Sequence, residues 1–264
     1  MILGIDMGAS AVKLCALEGG EIALTHYQPG RDVYVPSLLA ALGVDPAKAE
    51  RVAVTGLSAR RSGLESLGCE PQYLPEPDSI GAGAQWLTGR DDLIVASIGT
   101  GTAFVHAKGG EYRHLCGTGV GGGTLRGLAQ RVLGMADMRA FDALALSGDT
   151  RRVDLLIGDF VEGYGILDQE ITASNLARMD PTASDEDWAA GISTLVLQVI
   201  GTMSLMACAG SGASAVVVIG AMAGSAPSRR NFAQFERVYG TQFLIPEHSA
   251  CATAIGAARR ARCV

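Results

Sequence analysis

Three observations in this sequence predict an α/β fold built from two related lobes. The chain opens with a strand over residues 1–6, a glycine-bearing turn Met7-Gly8-Ala9-Ser10, and a second strand over 11–17 that ends at Gly19-Gly20-Glu21. The same arrangement returns about ninety residues later, with a strand over 93–98, the turn Gly99-Thr100-Gly101-Thr102, a strand over 103–106, and Gly109-Gly110-Glu111. Between and after these units, short apolar runs alternate with segments of helical period, which is the pattern of an α/β domain. Two such units, each opening a half of the chain, point to a duplicated lobe with a ligand held between the copies; chance similarity between two hairpins is the alternative.

The remaining elements follow in order. A helix is predicted over 35–42, a strand over 51–55 closing on Gly56, a short strand ending near Pro75, and a helix over 78–87. After the Gly121-Gly122-Gly123 tract, Leu125, Leu128, Ala129, Val132 and Leu133 recur at helical spacing and mark an amphipathic helix. Residues 135–181 read as helical in pieces. The apolar stretch over 188–209 is interrupted by Ser193, Thr194, Gln198, Thr202 and Ser204 and lacks flanking charged anchors, so it reads as a buried core helix rather than a membrane span. The β-branched run 215–219 predicts a buried strand. A helix over 229–239, a strand over 242–245 and a last helix over 252–262 complete the chain.

Composition narrows the function. With 264 residues, 48% of them hydrophobic, the chain is long enough for one large domain or two modest ones. Charged residues are 18% and the net charge is -6, with no basic run, which argues against nucleic acid as a partner. The six cysteines are scattered without CxxC spacing and read as reduced thiols. The first residues lack the basic and long apolar regions of a signal peptide, so a cytoplasmic protein is expected.

The chemistry-bearing residues cluster at the glycine turns. Asp6-x-Gly8 sets a carboxylate beside a turn whose amides can face a phosphate, and Lys13 follows on the outgoing strand. An oligophosphate with Mg²⁺ asks for these parts, although Asp6 capping a turn and Lys13 facing solvent is the plainer structural alternative. Gly99, Thr100, Gly101 and Thr102 supply hydroxyls and Cβ-free approach to an anion. The element Gly117-Thr118-Gly119-Val120-Gly121-Gly122-Gly123-Thr124 runs straight into a helix, where free amides and the helix dipole favour an anionic group; no Gly-Lys-Ser/Thr follows, so it is not a Walker A loop. Glu76, held between Pro75 and Pro77, is a fixed carboxylate suited to accept a hydroxyl proton, or else a surface glutamate like its neighbours Glu70 and Asp78.

Taken together, Gly4-Ile5-Asp6-Met7-Gly8-Ala9-Ser10-Ala11-Val12-Lys13, Ser97-Ile98-Gly99-Thr100-Gly101-Thr102, the glycine-triplet element with its Leu125-Arg126-Gly127-Leu128 tail, and Ile171-Thr172-Ala173-Ser174-Asn175 resemble type II pantothenate kinases in order and spacing along nearly the whole chain. The resemblance implies the duplicated actin-like (ribonuclease H-like) ATPase fold, with a nucleotide cleft between an N-terminal lobe, 1–90, and a C-terminal lobe, 91–264, whose last helix packs back on the first. It implies MgATP as cofactor, a pantothenate-like substrate, a homodimer, coenzyme A or acyl-CoA as a feedback ligand, and no membrane partner.

Residue by residue, the resemblance makes Glu76 the general base and Asp6 the group that manages Mg²⁺. It assigns Gly8, Ser10, Lys13, Gly99, Thr100, Gly101, Thr102, Gly121, Gly122, Gly123 and Gly220 to the nucleotide, and Ser97, Arg113, His114 and Thr118 to the substrate. The sequence departs from the family at the first tip, Gly8-Ala9-Ser10 in place of Gly-Gly-Thr, and at Ile219-Gly220-Ala221-Met222 in place of Ile-Gly-Ser-Ser. His114 also stands where the family has an arginine, with Arg113 one residue earlier and so on the opposite face of a strand. Two other readings stay open: a catalytically weak nucleotide- or acyl-CoA-binding regulatory homologue, and a kinase for another small hydroxyl compound such as a sugar. An activator that bridges a dimer with an iron–sulfur cluster has only Cys116 to support it.

Overall fold

The computed structural model describes residues 1–56, 63–160, 169–178 and 180–261. Strands β1 (Ile2–Met7), β2 (Ala11–Glu18), β3 (Glu21–Pro29), β4 (Arg51–Thr55) and β5 (Gln72–Tyr73) form one five-stranded sheet in the order β3-β2-β1-β4-β5. Helix α1 (Val35–Ala41) lies between β3 and β4 in the chain, and α2 (Glu76–Thr88) follows β5. The second sheet is built from β6 (Asp92–Ile98), β7 (Thr102–Lys108) and β8 (Glu111–Thr118). Helices α3 (Gly122–Leu133) and α4 (Met138–Ser147), the small pair β9 (Leu155–Leu156) and β10 (Thr172–Ser174), and the long α5 (Asp185–Ser211) come next. Then β11 (Ala215–Ile219), α6 (Ala226–Tyr239), β12 (Gln242–Leu244) and α7 (Ala252–Arg260) finish the fold, with sheet order β12-β11-β6-β7-β8.

The two sheets match strand for strand. In the first, β1 is antiparallel to β2 and parallel to β4, and β4 is parallel to β5. In the second, β6 is antiparallel to β7 and parallel to β11, and β11 is parallel to β12. The parallel neighbour of each central strand also ends in the same way: Gly56 has φ +99° and Gly220 has φ +102°. A Cβ on Gly56 would lie 2.5 Å from the Met7 carbonyl, and one on Gly220 would lie 2.2 Å from the Ile98 carbonyl. Met7 and Ile98 are the last residues of β1 and β6. The duplication read from the two hairpins therefore extends to all five strands of each sheet.

The third strand of each meander is a correction to the sequence reading, which stopped at the glycine pairs. Gly19 and Gly20 have φ of +59° and +91°, and Gly109 and Gly110 have +59° and +78°. Two consecutive positive φ angles make a tight two-residue hairpin turn, which returns the chain antiparallel. In β3 the residues are exposed or half-buried throughout, because it is an edge strand, so its apolar alternation is too weak to read. Residues 135–181 are only partly helical, since β9 and β10 pair there. The predicted last helix reaches Arg262, which with Cys263 lies outside the described residues.

Helix α5 is the spine of the second core: Ala189, Ile192, Val196, Leu197 and Ile200 pack with Phe104, Phe141 and Phe232. Its most apolar window has a mean hydropathy of 1.8 and is half buried within the fold. The outward side is not all covered, since Met206 is 70% exposed.

Two helices join the sheets. Helix α7, at the chain's end, lies on the first sheet, with Ala254, Ile255 and Ala258 against Cys15 and Leu17. Helix α2 lies on the second, with Ile80 and Ala84 against Val95, Val105 and Ala107. The two cross with their backbones in contact, because glycines stand at the crossing. A Cβ on Gly83 would fall 2.0 Å from the Ala252 carbonyl, and one on Gly256 would fall 1.9 Å from the Ser79 carbonyl. Gly4 of β1 makes the same allowance for α7, with the Ala254 carbonyl 2.0 Å from its absent Cβ.

Substitution at the crossing should therefore separate from substitution elsewhere. Gly256→Ala is expected to lower stability by about 3 kcal/mol, the upper part of the usual range for overpacking, because the obstructing atom is backbone and cannot rotate away. Gly127→Ala on exposed α3, where nothing lies within 4 Å of the new methyl, should raise it by about 0.5 to 1 kcal/mol. Urea midpoints of the two variants, read against the unsubstituted chain, check both signs.

Candidate active site

Asp6 stands near the end of β1 and is 3% exposed. Its Oδ2 accepts from Lys13 Nζ at 2.9 Å across the β1–β2 pair, where the two residues are in register. This sets aside the alternative in which Lys13 faces solvent. A Cβ on Gly8 would sit 2.9 Å from the Lys13 ammonium, which lies across the turn. Asp6 Oδ1, by contrast, is buried with no hydrogen-bond partner. A buried carboxylate oxygen with nothing to accept from is costly, and a cation is the partner that removes the cost.

Glu76 is not in an irregular proline segment, as the sequence suggested, but is the first residue of α2. The helix begins two residues earlier than predicted because Pro77 falls in the first turn, where no backbone donor is required. Glu76 belongs to the same electrostatic group as Asp6 and Lys13. Burial pushes its carboxyl above the ordinary value and the Asp6 charge adds to this, while Lys13 opposes them. For Lys13, burial pulls the pKa down, but the charge of Asp6 and its hydrogen bond outweigh it, with smaller help from Tyr27 and Glu76, so the ammonium is held above its ordinary value.

The two glycine tips meet. Ser10 Oγ and Thr100 Oγ1 are 3.0 Å apart, joining turns that lie 90 residues apart in sequence. Behind the second tip, the amides of Gly122 and Gly123 donate to the carbonyls of Gly99 and Thr100 at 2.9 and 2.8 Å. The expectation of free amides at the glycine triplet is thus corrected for these two residues. Close packing is what the glycines serve: a Cβ on Gly121 would meet Gly101 backbone at 2.7 Å, one on Gly122 the Gly99 carbonyl at 2.9 Å, and one on Gly123 the Thr100 carbonyl at 2.9 Å. Gly101 is confined likewise by the Thr118 carbonyl at 2.6 Å. Thr102 is 4% exposed and spends its hydroxyl on the Val120 carbonyl at 2.9 Å, so it braces the loop.

The residues read as substrate contacts divide. Ser97 is half-buried near the end of β6, in register with Ala103 and Ile219. Thr118 ends β8, and its Oγ1 accepts from the Val120 amide at 3.2 Å. Arg113 and His114 are both exposed on β8. Tyr112 packs against Gly81 and donates to Gln85 of α2, so His114, two residues on, shares the α2 face and Arg113 points to the other. Gly220 is fixed by its amide donating to the Ser249 carbonyl at 2.9 Å.

Sequence reasoning missed two residues here. Thr55, in register with Asp6, is 1% exposed and donates to the Leu74 carbonyl, which ties β4 to the segment entering α2. Gly56 lets the chain pass Asp6 closely, since a Cβ there would lie 2.8 Å from Asp6 Oδ1. The signal was the repeat itself, because Gly56 holds in the first lobe the place that Gly220 holds in the second.

The motif Ile171-Thr172-Ala173-Ser174-Asn175 lies outside this group. Its Thr172 and Asn175 bond to Gln198 of α5, and the Leu176 amide donates to fully buried Asp154 at 2.8 Å.

The raised carboxyl of Glu76 sets a pH dependence of stability. A group whose folded pKa lies above its unfolded one contributes stability that is complete below the unfolded value, 4.5, and lost as pH rises through the folded value. Glu76→Gln should thus stabilise the fold at neutral pH, and the gain should vanish below the unfolded value; denaturant midpoints at both pH values test this. Lys13→Met leaves the Asp6 charge buried and alone, and should cost about 3 kcal/mol at neutral pH in the same measurement.

A type II pantothenate kinase from Oceanobacillus iheyensis is 28% identical over 265 aligned residues, covering 97% of each chain. Among solved structures, the Acidaminococcus fermentans (R)-2-hydroxyglutaryl-CoA dehydratase component A superposes with a TM-score of 0.70, at 17% identity, over 98% of this chain and 96% of that one. A glucokinase of the ROK family from Streptomyces griseus, in complex with glucose and AMPPNP, gives 0.58 at 17% identity over 99% of both chains. These likenesses establish the duplicated actin-like fold that the motifs implied. The family described as Fumble matches residues 92–245, more than half of the sequence, and the chain belongs to that family.

Proposed function

We propose that the chain is an ATP-dependent kinase that phosphorylates the primary hydroxyl of pantothenate, the first step towards coenzyme A. The observation that carries this reading is the grouping of Asp6, Lys13 and Glu76 at the facing glycine tips, in a chain whose relatives bear the name type II pantothenate kinase.

Each group has a role that follows from its surroundings. Asp6 Oδ1, buried and unpartnered, would hold Mg²⁺ directly or through its water. Among the described residues no cluster of three metal-ligating side chains occurs, which suits an ion that takes most of its ligands from phosphate and water. When bound, Mg²⁺ supplies charge neutralisation at the phosphates. Lys13, fixed by Asp6, presents a cation to the phosphate oxygens, and the Ser10 and Thr100 hydroxyls donate to them once they part from each other. The hydroxyl that donates in the Ser10–Thr100 bond is freed for phosphate only when that bond opens.

Glu76 accepts the hydroxyl proton. The substrate oxygen attacks the γ-phosphorus in line, the bond from phosphorus to the β,γ-bridging oxygen breaks, and its electron pair leaves with ADP. Burial serves this step, because a carboxyl raised from the ordinary range is the stronger base once ionised. His114, exposed on the same face of β8 as Tyr112, is the candidate partner for the carboxylate of pantothenate on the strength of the resemblance, with Arg113 on the opposite face. The homodimer and the feedback by coenzyme A or acyl-CoA belong to the same reading on the strength of the resemblance.

Coupled ADP release with MgATP and pantothenate tests the proposal, with pantetheine and a sugar panel alongside. Glu76→Gln is expected to lower kcat by about 10² to 10⁴-fold while ATP binding persists. Unchanged turnover in that variant would remove Glu76 from the mechanism. ATP binding by the unsubstituted chain without turnover on any acceptor would favour a regulatory homologue instead. Ser10→Ala is expected to speed ATP association, because one partner of the bridge between the tips is gone, and stopped-flow nucleotide binding reads this directly.

A further inference from the structure

At the ends of α2 and α7 opposite the tips, a cavity of about 380 Å³ is lined by Trp86, Arg90, Asp91, Tyr112, Arg259 and Arg260, among others. Three guanidinium groups and one carboxylate make this lining cationic, on a chain whose net charge is -6. The carboxylate is already engaged, since Asp91 Oδ1 accepts from the Gly109 amide at 3.1 Å.

The cations are held by aromatic faces. The guanidinium carbon of Arg259 lies 5.4 Å from the centroid of Trp86, and that of Arg260 lies 5.4 Å from that of Tyr112. The rings are fixed in turn. Trp86 packs against the cluster of Cys15, Leu17 and Ala254, and the Tyr112 hydroxyl donates to Gln85 at 3.0 Å. A guanidinium stacked this way keeps its N–H edge free for a forked contact with a carboxylate or phosphate, and its rotamer entropy is spent before any ligand arrives.

The partners of the three arginines differ. Arg90 donates to Gln242 at 2.6 Å, and Arg260 faces Asp78 at 3.5 Å. Among the described residues, no carboxylate lies within ion-pair distance of Arg259, whose only ring or charge contact is Trp86.

We propose that this cavity binds a small polyanion bearing phosphate or carboxylate groups, gripped by Arg259 with Arg260 beside it. The place of the cavity makes its occupant an effector. Helix α2 runs about 9 Å from Glu76 to Ala82, the first of its residues on the cavity, and lines it to its C-terminal end. Helix α7 begins beside Cys251, whose thiol feels the charges of both Lys13 and Asp6, and ends at Arg260. A ligand bridging Trp86 and Arg259 ties together the far ends of the two helices that join the sheets, and so biases how the tips at their near ends stand to each other.

The test needs no turnover, so its failure is separate from any failure of the kinase reading. Trp86 is one of two tryptophans, and Trp188→Phe leaves it as the only tryptophan in the full chain, read selectively by exciting at the red edge of indole absorption. Inorganic pyrophosphate and, in a parallel arm, citrate are titrated while Trp86 fluorescence is followed; the arm that saturates at lower concentration identifies phosphate or carboxylate as the preferred group. A saturable change is expected in at least one arm, with its midpoint weakened about tenfold or more by Arg259→Gln, the worth of one charged hydrogen-bonded contact. Arg259→Lys should recover only part of the loss, because an ammonium keeps the charge without the fork. No saturable change in either arm, or a change that Arg259→Gln leaves intact at unaltered thermal stability, overturns the proposal.

Discussion

The crossing of α2 over α7 is the constraint on which the rest of the molecule depends. Each helix lies on a different sheet, and they meet at Gly83 and Gly256 with no side chain between them. Backbone contact of this kind sets one distance between the two sheets, because neither partner carries a flexible group that could yield. Glu76 opens one of the two helices and Cys251 directly precedes the other, so the same contact sets how the candidate base stands to the Asp6–Lys13 pair. The cationic cavity lies at the opposite ends of the same two helices.

The electrostatics of the site follow from taking charge out of water. Asp6 and Lys13 neutralise each other through one carboxylate oxygen and leave the other unmet. Glu76, half-buried near the same carboxylate, holds its proton more tightly than a surface glutamate does. A cation arriving at Asp6 would relieve the unpartnered oxygen and lower the cost of ionising Glu76 together, which couples metal binding to readiness of the base. The ordering of these groups costs stability, as strained or desolvated sites commonly do.

The glycine-rich segments divide into two physical kinds. Gly19-Gly20 and Gly109-Gly110 supply positive φ for tight turns, whereas Gly101, Gly121, Gly122 and Gly123 supply absent Cβ atoms for two loops packed backbone to backbone. The amides of Gly122 and Gly123 hold the second tip in place and are not spare donors. A loop that looks like a phosphate cradle by composition is, in these two residues, the support on which the Thr100 tip rests.

Much of this was legible in order along the chain. Local patterns carried the two opening hairpins, the amphipathic helix after the glycine triplet, the buried strand at residues 215–219 and the Asp6 and Lys13 candidates, because period and turn chemistry are local properties. The edge strand β3 was not read, and β8 only at Arg113 and His114 through the resemblance, since half-exposed strands lack the apolar alternation that marks a buried face, although the glycine pairs before them did encode the turns. Glu76 was found by resemblance while its setting was misjudged, because proline at a helix start looks the same in sequence as proline in a loop. Which glycines are free and which are packed, which face His114 takes, that Lys13 is paired with Asp6, and that Arg259 stacks on Trp86 were decided by tertiary structure alone. Each of these depends on what a distant segment places within a few ångströms, and spacing along the chain carries no record of that distance.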